Sequence, residues 1–125
     1  MGVGLDTSPN PPSVNHNNYM PNPRLPKSVA LGGHTYKVIY PYTFKENNDL
    51  CGQVDHQSLE IRVAAVKQNG APRPPSKIHE TFLHELLHAV DCIYNNSQLD
   101  EATISRLSEG LWQGLSTYSR GQRRG

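Results

Sequence analysis

The chain has 125 residues, 35% of them hydrophobic, and a formal net charge of +1. That length holds one small core rather than two, and the near-neutral balance excludes a partner recognised through bulk charge alone. No apolar run approaches bilayer length and no apolar leader follows Met1, so the expectation is an intracellular, cytoplasmic protein with no membrane partner.

Residues 1–27 hold six of the ten prolines (Pro9, Pro11, Pro12, Pro21, Pro23 and Pro26) and few large apolar groups. Such a stretch buries too little surface to offset its ordering entropy, so it reads as a flexible arm. The working domain is then residues 28–119. Residues 120–125 form a basic tail carrying Arg120, Arg123 and Arg124, read as solubilising, with nucleic-acid contact as the minor alternative.

Within the domain, Ser28–Leu31 and His34–Tyr40 flank Gly32-Gly33 and predict a β-hairpin. A polar loop at Lys45–Asp49 follows. A second hairpin pairs Leu50–Val54 with Leu59–Val63, where Leu59, Ile61 and Val63 alternate with Glu60 and Arg62 in the period of a half-buried strand. Gly70 and the prolines at 72, 74 and 75 mark a loop.

Ser76 then stands where a helix cap is expected, and Ile78, Phe82, Leu86, Ala89, Val90 and Ile93 recur at helical spacing as far as Tyr94. Asn95-Asn96-Ser97 breaks this helix. Asp100-Glu101 open a second one, on which Ile104, Leu107, Leu111 and Leu115 form the expected buried stripe. Strands followed by helices predict an α+β fold: a small antiparallel sheet of hairpins on two antiparallel helices. Cys51 and Cys92 form no CxxC pair and read as reduced core thiols.

The first helix carries His84-Glu85-Leu86-Leu87-His88. Histidines four apart lie one helical turn from each other and can share an ion, with the glutamate between them as base for a water held there. Imidazole and carboxylate ligands with an open position suit Zn2+, and the chemistry is hydrolysis of peptide bonds. A third ligand is needed. No histidine follows His88, so the choice falls on carboxylates.

Asp91, at i+7 from His84, is too far along the helix to bend back and suits an outer role orienting an imidazole. Asp100 reads as a helix cap. If both helices rise equally from a reversal near residues 97–98, positions level with the histidines are about 107 to 111. Glu109 falls inside that window and is favoured, with Glu101 as the alternative. Tyr94, Tyr118 and His56 are candidate oxyanion donors by residue type. The Leu59–Val63 or Leu50–Val54 strand is a candidate edge for an extended substrate. His34, His56 and His79 have no second ligand at metal spacing.

With Gly52, Asp55 and Ile61 ahead of it, His84-Glu85-Leu86-Leu87-His88-Ala89 resembles the small zincin metallopeptidases of phages and mobile elements, similar to the ImmA/IrrE group. Leu107-Ser108-Glu109-Gly110-Leu111 also looks like the downstream helix of such minimal zincins. The resemblance implies His84 and His88 as ligands, Glu85 as base, and an intracellular protein substrate such as a phage or mobile-element regulator. These relatives usually supply a further glutamate from an E-x-A-N-like helix, which Glu101-Ala102-Thr103 matches in part. The competing class is a non-catalytic zinc-binding interaction module that uses the metal for folding. Glu85 weighs against it, since a purely structural site has no use for a base.

Overall fold

The computed structural model describes residues 24–45, 50–67 and 69–124. The arm lies outside them except for residues 24–27, as does most of the Lys45–Asp49 loop. The fold is α+β. Strands β1 (Ser28–Leu31), β2 (His34–Ile39), β3 (Gly52–Asp55) and β4 (Glu60–Val63) precede helices α1 (Pro75–Tyr94) and α2 (Glu101–Arg124).

Both expected hairpins form, β1 with β2 and β3 with β4, each antiparallel. Their joining differs from the expectation of a purely antiparallel sheet. The order is β1-β2-β4-β3, with β2 parallel to β4 in the register Val38 opposite Ile61. The second hairpin inserts its second strand beside the first hairpin. Tyr36 then shares one buried face with Ile61 and Val63, and that face packs under Ile78, Phe82 and Ala89 of α1. Burying this apolar face is worth more than the small difference between parallel and antiparallel pairing.

The order also leaves β3 at an edge and puts β4 inside, so Leu59–Val63 has no free edge for a substrate. Leu59 itself stands outside β4 at φ 57°, in the turn where the Asp55 carboxylate accepts the amides of Gln57 and Ser58.

Helix α1 starts earlier than Ser76. Pro74 takes the cap position and Pro75 the first helical one, where a missing N–H costs nothing. Arg73 fastens this start, donating to the Ala64 carbonyl at 2.7 Å and the Thr81 hydroxyl at 2.6 Å. At the other end Gly32 donates its amide to Tyr94 Oη at 2.9 Å. With φ +55°, and with a Cβ there only 2.5 Å from Ile93 Cγ2, this position requires glycine.

The expected buried stripe of α2 is only partly buried. Ile104 and Ser108 are covered, whereas Leu107, Leu111 and Leu115 are 45, 42 and 48% exposed. Helix α2 meets one neighbouring helix and not the sheet, so its covered face is narrower than the apolar pattern allows. The helix also runs on through Arg124, so the basic tail continues α2 rather than fraying from residue 120. Cys51, just before edge strand β3, is exposed, and Cys92, near the end of α1, is half-buried, so neither is a core thiol. No helix among the described residues is long and apolar enough to cross a membrane.

Candidate metal centre

Helix α1 presents His84 and His88 on one side, with their Nε2 atoms 3.3 Å apart. The carboxylate that meets them is that of Glu101, the first residue of α2. Its Oε1 lies 2.7 Å from His84 Nε2, and its Oε2 lies 3.1 Å from His88 Nε2. The three ligand atoms all fall within 4.8 Å of one another.

Glu109 is not in this group, although it lines the same cavity. The equal-rise expectation counted the residues between the helices as if they advanced along the axis. The chain instead reverses at Asn96 and Ser97, both in the left-handed region, and then runs back along α1 faster than a helix rises: the Leu99 amide already meets the Asp91 carboxylate, so the first turn of α2 is level with the histidines. Farther along α2, Trp112 stacks on His79 with ring centroids 4.6 Å apart. Burial there pushes His79 below the ordinary histidine range.

Asp91 builds the turn rather than orienting an imidazole. Buried, it accepts from Asn95 Nδ2 at 2.9 Å, from the Gln98 amide at 3.1 Å and from the Leu99 amide at 3.2 Å. Free amides just past a helix end draw in a nearby carboxylate more readily than an imidazole a turn away. Asp100 then caps α2, its Oδ1 accepting the Thr103 amide at 2.8 Å; the Thr103 hydrogen bonds hold its carboxyl below the usual range. Turn and cap together deliver Glu101 to the histidines.

Two imidazole nitrogens and a carboxylate lying this close together offer three Lewis-basic atoms to one ion. A proton on one nitrogen relieves one contact only; a divalent cation satisfies all three, and this donor set is one that zinc accepts. The residues therefore fit a metal ion. Burial works to raise the Glu101 carboxyl, but the His88 charge and the bond from His84 outweigh it and hold the group below the ordinary glutamate range.

Glu85 points into the same cavity, of about 410 Å3, between α1, α2 and the β3 edge. It is 8% exposed, and among the described residues its carboxylate receives no hydrogen bond. Burial first, then the nearby charge of Glu101, raise it to about 7. Gly52 makes room for it: a Cβ there would lie 2.6 Å from Thr81 Cγ2 and 3.0 Å from Glu85 Oε2. The edge strand can approach α1 this closely only without a side chain at position 52.

The metal-free chain is expected to depend on pH through this group. The folded pKa of Glu85 lies above its ordinary value of 4.5, so the folded state holds this proton more tightly. The associated stability is complete below about pH 4.5 and is lost as pH rises through about 7. Glu85→Gln removes that loss and stabilises the metal-free chain near neutral pH and above by on the order of 3 kcal/mol. Thermal unfolding in chelator at acid and alkaline pH reads this out; a variant with the parent's pH slope would refute it.

Three expected oxyanion donors lie elsewhere. Tyr94 receives the Gly32 amide, Tyr118 stands exposed far along α2, and His56 Nδ1 meets the Tyr36 hydroxyl at 3.3 Å; none lines the cavity. The lining instead includes Glu80, Thr81, Ser105 and Ser108, none of which the motif by itself points to. Helical spacing carried a signal for all four. Glu80 and Thr81 precede His84 and Glu85 by four residues, and Ser105 and Ser108 follow Glu101 by four and seven. Comparison with protein-family models, curated proteins and solved structures returns no match for this chain.

Proposed function

We propose that this protein is a zinc-dependent metallopeptidase of the minimal zincin type, acting on peptide bonds of an intracellular protein. One observation carries the reading: His84 and Glu101 of a His-His-Glu group line one cavity beside an edge strand, together with the buried Glu85, whose carboxylate has no hydrogen-bond partner among the described residues. In this reading His84, His88 and Glu101 hold the ion and Glu85 is the general base. Zinc, when bound there, supplies Lewis acidity that makes a water acidic near neutral pH and polarises a carbonyl.

The chain's own residues do the rest. Glu85 accepts the water proton and passes it to the leaving amine. Its burial keeps bulk water away from that transfer. Strand β3, with one free edge beside the cavity, offers backbone groups to an extended peptide. The resemblance to ImmA/IrrE proteins supports a regulator protein of a phage or mobile element as the substrate class.

The test joins metal and activity. The full chain, stripped by chelator and titrated with Zn2+, is expected to take up one ion per chain and to cleave a denatured-protein pool only when loaded. Stoichiometric zinc without cleavage, together with unfolding on chelation, favours the non-catalytic module instead.

A further inference from the structure

Four carboxylates line the cavity, those of Glu80, Glu85, Glu101 and Glu109, and among the described residues no lysine or arginine lines it. Two of them, Glu85 and Glu101, belong to the proposed metal site. A dication there offsets two negative charges and leaves the other two, on Glu80 and Glu109, in excess. They stand on facing helices: Glu80 one turn before His84 on α1, Glu109 two turns after Glu101 on α2. Glu80 is only loosely paired, at 3.4 Å, with Lys77, whose side chain is 63% exposed; Glu109 has no ion-pair partner among the described residues. An exposed lysine pair of that kind is weak and readily exchanged.

The carboxylates are not the only sign of a ligand here. Glu85, 8% exposed and without a hydrogen-bond partner among the described residues, faces the same cavity and marks where the reacting bond lies. Leu50, partly exposed, also lines this space and offers apolar surface to an alkyl stem.

We propose that Glu80 and Glu109 form a subsite for a lysine or arginine side chain of the peptide substrate, next to the scissile bond. The inference rests on the metallopeptidase reading and adds its substrate class. A long cationic side chain entering between two helices meets one carboxylate from each, while its stem covers Leu50. Two like charges with no lysine or arginine lining the cavity among the described residues create the local negative potential that attracts such a group. A neutral or acidic residue at the same place leaves the two charges uncompensated or repelled.

Binding tests the subsite independently of turnover. Fluorescein-labelled pentapeptides identical but for a central Lys, Arg, norleucine or Glu are titrated with the zinc-loaded full chain and followed by anisotropy. Lys and Arg peptides are expected to bind about tenfold tighter than norleucine, and Glu more weakly still, as for one cation meeting two carboxylates at once. The Glu80→Gln, Glu109→Gln double variant loses that preference, and Glu109→Lys reverses it in favour of the Glu peptide, with far-UV circular dichroism verifying the fold of each. Equal binding of all four peptides, or none, overturns the proposal, as does a second zinc ion lost in the double variant. A chain that binds basic peptides but cleaves nothing keeps the subsite and loses the peptidase reading. One that cleaves without preference for basic residues does the opposite.

Discussion

Glu85→Gln is expected to lower peptide cleavage by about 10^2- to 10^4-fold, the usual contribution of a general base, while zinc uptake stays at one ion per chain. The exchange is nearly isosteric, so the side chain still fits between Gly52 and Thr81, where a Cβ on Gly52 would already lie 3.0 Å from Glu85 Cγ. Its effect on the ligand group is small, since His84, His88 and Glu101 keep their positions on α1 and α2. The loss falls on the buried carboxylate that lines the cavity beside His84 and Glu101 and stands outside the ligand group. Cleavage rates at equal zinc loading decide the matter. A zinc-loaded variant as fast as the parent removes Glu85 from the chemistry and the general-base mechanism with it.

The second large effect separates two glutamates. Glu101→Ala is expected to weaken zinc binding by more than about a hundredfold, beyond what losing an outer partner of a ligand costs. Glu109→Ala is expected to leave zinc affinity near the parent value, because its carboxylate stands outside the group that brings three ligand atoms within 4.8 Å. Competition against a chromophoric chelator measures both. The opposite ranking would return Glu109 to the metal and make the contact between Glu101 and the histidines an ion pair of the metal-free chain. Glu109→Ala is instead expected to act on the choice of substrate residue.

Much of the fold was legible because its signals are local. Gly32-Gly33 between two β-rich runs, the alternation through Ile61 and Val63, and the apolar spacing from Ile78 to Ile93 each depend on neighbours within a few residues. So does the placement of His84, Glu85 and His88, since one helical turn is enough to align the two imidazoles. The errors fall where distant segments meet. Whether the hairpins join parallel or antiparallel depends on which pairing brings Tyr36 beside Ile61 under α1. Whether Leu107 and Leu111 are covered depends on how much of α2 finds a neighbour. Neither is written in a local period.

The third ligand shows the same division at the scale of one residue. The lack of any histidine after His88 pointed to a downstream carboxylate, and Glu101 and Glu109 were both available. The choice turned on the path from Asn95 to Asp100, which reverses the chain and carries it back along α1 to the level of Asp91 within four residues. Asp91 accepts the amides of that turn, and Asp100 caps the start of α2.

By itself, then, the sequence determined the α+β order and the helix bearing His84, Glu85 and His88. Both arise from chemistry within one turn or one hairpin. Only the tertiary structure decided that Glu101 meets the histidines, that Asp91 serves the turn, that β3 rather than β4 is an edge strand and that Glu80 and Glu109 line the cavity from facing helices. Those relations are set by packing and loop closure between residues far apart in the chain, where small local differences are summed into position.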